Sequence, residues 1–207
     1  NTAPALTSFT RQNPVNSPTN ADLLIFSATF SEDVQNVDSS DFTVIGTTAS
    51  ITLVTPVSTS VYEITVSGGD LATYNGVVGL NLAVGQDIQD LVGNTLPVGE
   101  PATDETYLMD NTPPALNSFT RQNPTANPTS ADVLVFRATF SENVQYVDAS
   151  DFTVTGTTAT ITLLTSVTAS VYDLTVSGGD LAGLNATVGL NLAVGQDLED
   201  LAGNLLP

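Results

Sequence analysis

The stretch Val133-Leu134-Val135-Phe136-Arg137-Ala138-Thr139-Phe140 decides the fold. Leu134, Phe136, Ala138 and Phe140 share one face at a period of two, and the intervening residues share the other. Successive side chains of a strand point to opposite faces, so this alternation reads as a β-strand laid against a core. Turn-forming residues bound it on both sides: Asn127-Pro128-Thr129-Ser130 before, Ser141-Glu142-Asn143 after. Working outward, residues 115–120, 152–155, 159–165, 170–177 and 187–194 read as further strands. No segment sustains a 3.6-residue period, so helix is expected only as short turns.

The same pattern occurs twice. Residues 1–97 and 111–207 align without a gap at an offset of 110, and 69 of the 97 aligned positions are identical. Between the copies lie residues 98–110, in which Glu105-Thr106-Tyr107-Leu108-Met109 reads as one more strand. Seven short strands at regular spacing predict an antiparallel sandwich per unit, with domains at 1–110 and 111–207. The second copy has no equivalent of residues 106–109, so its sheet is expected to lack its last strand or to end in an unprotected edge. The repeat is also cut in mid-period before Asn1, which reads as an excerpt of a longer array.

The net charge is −19, from 22 Asp and Glu against three Arg (Arg11, Arg121, Arg137) and no Lys. That balance excludes nucleic acid as a partner, since there is no basic surface to displace counterions from phosphates. It equally opposes docking on anionic lipid, and no apolar run is long enough to span a membrane as a helix. Without cysteine, each unit must be held by its core alone, or by core and metal. With neither His nor Cys, serine or cysteine nucleophile triads and nitrogen or sulfur ligation of zinc are out of reach. Carboxylate pairs such as Asp87 with Asp90, or Asp197 with Asp200, lack a flanking aromatic platform, and the chain has no Trp. No enzyme is expected.

Three runs carry a family resemblance. Ala138-Thr139-Phe140-Ser141-Glu142-Asn143-Val144, Ser150-Asp151-Phe152-Thr153-Val154-Thr155-Gly156 and Asp200-Leu201-Ala202-Gly203-Asn204 resemble bacterial immunoglobulin-like repeat domains of large surface and secreted proteins. The resemblance covers each copy nearly end to end. Asp110-Asn111-Thr112-Pro113-Pro114 is similar to the junctions between such repeats and to the calcium-binding linkers of cadherins, although the fuller cadherin set of acidic motifs is absent. The resemblance implies an all-β chain of two tandem immunoglobulin-like antiparallel β-sandwiches. It also implies an extracellular adhesin or matrix module, often rigidified by calcium.

Strand direction places the acids. Loops fall alternately at the two ends of a sandwich, which gathers Asp110, Glu142, Asp148, Asp151, Asp197, Glu199 and Asp200 toward one end of the second copy. Glu32, Asp87 and Asp90 are the first-copy equivalents of Glu142, Asp197 and Asp200, while Asp22 and Asp70 belong to the opposite end and are expected to face the junction. Each close carboxylate pair costs roughly 4 kcal/mol at the effective dielectric of a protein surface. A calcium ion, with 6–8 oxygen ligands and flexible geometry, removes that repulsion. Asp22, Asp70, Glu32, Asp87, Asp90, Asp110, Glu142, Asp148, Asp197 and Asp200 are therefore candidate Ca2+ ligands. For each of them ordinary turn chemistry is the competing reading, and a saline habitat competes as the source of the acidity.

Two functions follow from different classes. One is a spacer in a surface fibre, whose partners are neighbouring repeats of the same chain, with other surface proteins or glycans as further candidates. The other is a module that grips a protein or carbohydrate through a loop end. A gripping module calls for one variable loop. Here the copies differ chiefly at residues 15–17 against 125–127 and 73–77 against 183–187, mostly by exchange of small or polar residues, which favours the spacer.

Overall fold

A computed structural model describes residues 2–207; Asn1, with which the expected first domain begins, lies outside them. The described chain is built from strands, with no α-helix and only single 3-10 turns at Ser39–Asp41, Leu71–Thr73, Ala149–Asp151 and Leu181–Gly183. It divides into two compact units, Asn1–Asn111 and Thr112–Pro207.

Unit 1 contains β1 (Leu6–Asn13), β2 (Leu23–Phe30), β3 (Val34–Gln35), β4 (Phe42–Ile45), β5 (Ser50–Ser58), β6 (Val61–Ser67), β7 (Gly76–Leu82), β8 (Gln89–Asp90), β9 (Thr103–Asp104) and β10 (Tyr107–Met109). One sheet runs β5-β6-β2-β1-β9 and a second β10-β7-β4, with β3 and β8 forming a separate small ladder. The strand pairings are antiparallel except β1 with β9, which is parallel, and an isolated parallel bridge joins Thr19 to Met109 of β10.

Alternation explains the core. In β2, Leu24, Phe26, Ala28 and Phe30 point inward and are buried. They meet Ile64 and Val66 of β6, Phe42 of β4, and Val78 and Leu80 of β7 in one cluster fed by both larger sheets. Phe26 sits edge-on to Tyr107 at 4.9 Å between ring centroids, a favoured geometry for aromatic pairs. The Tyr107 hydroxyl does not stay orphaned in this core: it donates to the Ile25 carbonyl at 2.8 Å. Burial nonetheless pushes its pKa up to about 12, with the charges of Arg11 and Glu105 acting in opposite directions.

Unit 2 repeats the plan with fewer strands: β11 (Leu116–Asn123), β12 (Val133–Phe140), β13 (Val144–Gln145), β14 (Phe152–Thr155), β15 (Thr160–Thr168), β16 (Val171–Ser177), β17 (Gly189–Leu192) and β18 (Glu199–Asp200). Its sheet β11-β12-β16-β15 matches β1-β2-β6-β5, and β14 pairs with β17 as β4 does with β7. The strand expected over residues 187–194 contracts to Gly189–Leu192. In unit 1 the corresponding start of β7, Gly76 to Val78, pairs with β10; no segment takes that place in unit 2 among the described residues. Arg137 and Asp173 face each other across β12 and β16 in a bidentate pair at 2.8 and 2.9 Å, where unit 1 has Ser27 opposite Glu63.

Tyr107→Ala removes the largest fully buried side chain of unit 1 and is expected to cost about 3–5 kcal/mol. Urea unfolding followed residue by residue by NMR should show unit 1 melting first, with the midpoint of unit 2 unchanged.

Candidate metal centre

The Asp-Leu-x-Gly-Asn motif folds into a turn that closes on its own first carboxylate. Asp90 accepts the Val92 and Asn94 backbone N–H groups on Oδ1 at 2.9 and 2.8 Å, and the Asn94 side-chain amide on Oδ2 at 2.6 Å. Asp200 accepts from the Ala202 and Asn204 N–H groups and the Asn204 amide at 2.8, 2.9 and 2.8 Å. Gly93 and Gly203, at φ +92° and +94°, provide the left-handed residue that lets the chain double back. Both carboxylates are buried, at 3% and 1% exposure. Burial alone would raise the Asp90 pKa, but the Asn94 and Val92 donors outweigh it and hold the carboxyl below its ordinary value.

A second acid lies beside each turn. One carboxylate oxygen of Glu142 lies within 4.8 Å of one of Asp200. In unit 1, Glu32, Asp33 and Asp90 line one shallow depression with Thr2, Leu91 and Val92. A Glu and an Asp thus stand at the corresponding place in both copies, as neighbouring carboxylates in unit 2 and as residues lining one depression in unit 1. A carboxylate whose orientation is locked by three donors, with a second at its side and no Lys in the chain, is chemically suited to a hard cation with oxygen ligands.

Several of the other candidate acids have structural tasks, and the rest are exposed or take part through the backbone. Asp38 and Asp148 cap the 3-10 turns that follow them, each accepting from the N–H two residues on (Ser40, Ser150) at 2.7 Å. Asp41 and Asp151 answer by accepting the Asp38 and Asp148 N–H groups at 2.7 Å, which completes a reciprocal capping box. Asp41 also accepts the Asp87 N–H at 3.1 Å, so Asp87 takes part through its backbone, while the side chains of Asp87 and Asp197 are exposed. Asp70 and Asp180 receive the hydroxyls of Thr47 and Thr157 and the N–H groups of Thr48 and Thr158, the latter at 2.9 Å. Gly69, at φ +57°, sets up that contact: a Cβ there would fall 2.4 Å from the Ala49 nitrogen. Asp22 is exposed just ahead of β2. Asp110 donates its N–H to the Thr19 carbonyl at 3.0 Å, and Asn111 fixes the chain by giving its amide to the Leu71 and Tyr74 carbonyls at 2.9 and 2.7 Å.

Within the units, then, the fold brings Glu142 to Asp200 and Glu32 to Asp90, and gives Asp70 and Asp148 to turns. Sequence reasoning passed over Asp33 and the box-closing role of Asp41; the Asp-x-x-Asp spacing shared by Asp38/Asp41 and Asp148/Asp151 was the signal for the latter.

Hydrogen bonds, chiefly from Ser40, Ser150, Thr47 and Thr157, hold Asp38, Asp148, Asp70 and Asp180 below their ordinary pKa. Burial pushes Asp41 and Asp151 up, against the N–H groups that favour their charge. A lowered folded pKa means that the unfolded chain takes up the proton first, so the four hydrogen-bonded acids stabilise the fold above about pH 4 and lose that effect as pH falls through their depressed values. Asp41 and Asp151 act in the opposite sense, stabilising as pH falls from their raised folded value toward the ordinary one. The expected net result is a melting temperature that drops steeply on acidification, and a shallower drop in Asp70→Ala plus Asp180→Ala; calorimetry across pH 2–6 (about the carboxylate range) measures both. An unchanged slope in the double variant contradicts this.

No known protein-family model matches this chain, and no curated protein matches it significantly.

Proposed function

We propose that the chain is a pair of immunoglobulin-like sandwich repeats from an extracellular spacer, the stalk of a bacterial adhesin or surface fibre, that binds calcium at its loop ends. The observation that carries this reading is the duplication of the loops together with the strands. The self-closed turns at Asp90 and Asp200, the capping boxes at Asp38 and Asp148, and the Glu-Asp pairs Glu32/Asp90 and Glu142/Asp200 recur in both copies. A stalk needs identical segments that resist unfolding, whereas a recognition surface needs one segment that differs.

Calcium fits the pairs because it tolerates irregular oxygen shells, which carboxylates and loop carbonyls supply. Magnesium demands octahedral geometry and sheds water reluctantly, so it serves less well. Neighbouring repeats and the calcium ion are the partners this reading requires, at the cell surface or in secreted form.

The test is a melting curve with calcium, magnesium, EDTA, or sodium chloride at matched ionic strength. At calcium about 100-fold above Kd the gain is about 2.7 kcal/mol per site, magnesium gives less, and Glu32→Gln plus Glu142→Gln abolishes the difference. Melting that is the same in calcium, EDTA and sodium chloride rejects the calcium reading and leaves the acids as solvated turns.

A further inference from the structure

Unit 1 carries the only Asn-Gly step of the sequence, Asn75-Gly76, at the entry to β7. The fold calls for both residues. Gly76 lies at φ +152°, and a Cβ there would fall 2.7 Å from the Tyr74 hydroxyl oxygen. Unit 2, with Leu184 in place of Tyr74, has Ala186 in place of Gly76. Asn75 is exposed, and its side-chain oxygen accepts the Asn111 N–H at 2.6 Å. Asn111 in turn gives its amide to the Leu71 and Tyr74 carbonyls, so the last residue of unit 1 is tied to the chain just ahead of β7.

Asparagine is among the thermolabile residues. A following glycine makes it more so, because no side chain obstructs the approach of the glycine nitrogen to Cγ and the backbone turns freely. In the folded unit that nitrogen is engaged. Leu108 turns its N–H to Ser17 Oγ at 2.7 Å and its carbonyl to the Thr19 N–H at 3.0 Å, away from β7. Bonded and non-bonded pairs alternate along an antiparallel ladder, so the bonds between β10 and β7 fall to Tyr107 with Val78 and to Met109 with Gly76. Arg11 steadies the segment ahead of β10, its guanidinium donating to the Thr106 carbonyl and its N–H to Glu105 Oε2, both at 2.8 Å. The Gly76 nitrogen becomes available when β10 leaves β7.

We propose that Asn75 is a self-modification site gated by β10, at which deamidation makes a reversible opening of that strand permanent. With β10 displaced, a base in the solvent takes the Gly76 amide proton and the nitrogen attacks Asn75 Cγ. The bond from the Gly76 nitrogen to Cγ forms, the Cγ–Nδ2 bond breaks, and Nδ2 leaves as ammonia with a proton from water. Water then opens the cyclic imide at either carbonyl. Opening at Cγ gives ordinary aspartate. Opening at the backbone carbonyl gives isoaspartate, in which Cγ has entered the main chain and lengthened it by a methylene. The anchors of Asn111 on Leu71 and Tyr74 lie before that insertion, and the ladder of β10 on Gly76 and Val78 lies after it. Residues 107–111 then no longer fit both at once. The site involves none of the carboxylate pairs, so it does not depend on the calcium reading.

The test incubates the intact 207-residue chain at neutral pH and maps it by mass spectrometry, with fragmentation that separates isoaspartate from aspartate. Conversion is expected at Asn75 ahead of the other asparagines, Asn185 included, and faster in the urea-unfolded chain than in the folded one. Ser17→Ala removes the acceptor of the Leu108 N–H, so it should raise the open population and speed conversion about fivefold. The purified isoaspartate chain should lose amide-exchange protection at residues 76–78 and 107–109 and keep it in β2 and β6. Asn75→Asp, whose carboxylate still accepts the Asn111 N–H, should keep protection throughout. The proposal is overturned by Asn185 converting as fast as Asn75 in the folded chain, or by no conversion of Asn75 there. It is equally overturned by a folded rate that matches the unfolded one or ignores Ser17→Ala. Protection of β10 that survives isoaspartate would remove the permanence. Its loss in Asn75→Asp as well would make added charge the cause and reject the lengthened backbone.

Discussion

The inward face of the central strand has to be covered from two directions at once. Phe26 and its neighbours on β2 are flanked by β1 and β6 within their own sheet, yet the face itself is closed by β4, β7 and β10 together with connecting residues such as Leu71, Ile88 and Leu96. Apolar burial is the dominant stabilising term in a unit that has neither disulfide nor established metal, so the opposing layer is a condition of folding rather than an ornament. The aromatic contacts mark where the layers meet: Phe9 against Phe42 and Phe26 against Tyr107 in unit 1, and Phe119 against Phe152 in unit 2. Unit 2 has the first kind of contact; among its described residues no ring stands where Tyr107 does, and Phe119 and Leu134 are half-buried.

The acidity has a different logic from the core. Most of the carboxylates with an evident structural role accept hydrogen bonds from backbone N–H groups or from Ser and Thr hydroxyls. Donors of that kind favour the charged form and rigidify turns without a single cation, which is how a chain with three arginines keeps so many acids in ordered loops. The Glu-Asp pairs add a second theme: Asp90 and Asp200, each already held by three donors, stand beside Glu32 and Glu142, so two acids are brought together at the same turn.

The long strands were legible because alternation of Leu, Phe, Val and Ala against polar residues states which face is buried; β12 occupies the very residues that its pattern marks, and β14 does likewise. The two-residue ladders β3-β8 and β13-β18 were not, since Val-Gln, Gln-Asp and Glu-Asp are too short to show a period. Nor was β9, a Thr-Asp pair whose parallel partner lies far away in sequence. For the acids, counting strand directions located the correct loops but did not separate a carboxylate spent on capping, such as Asp148, from one that faces another, such as Asp200. That distinction depends on which N–H groups point inward at each turn, and the residue types alone do not specify it.

The parallel pairing of β1 with β9 has a mechanical meaning. β1 opens unit 1 and β9 comes near its close, and the Glu105 N–H bonds the Phe9 carbonyl at 3.0 Å beside the contacts that Arg11 makes with Glu105 and Thr106. Tension along the chain pulls two such strands past each other in opposite directions along their length. The bonds between them are then loaded in shear and must yield together, whereas an antiparallel hairpin pulled from its open end unzips one bond at a time. Because β10 lies between β9 and the end of the unit, the sheared bonds of β1 and β9 form a second line of resistance behind the pairing of β10 with β7.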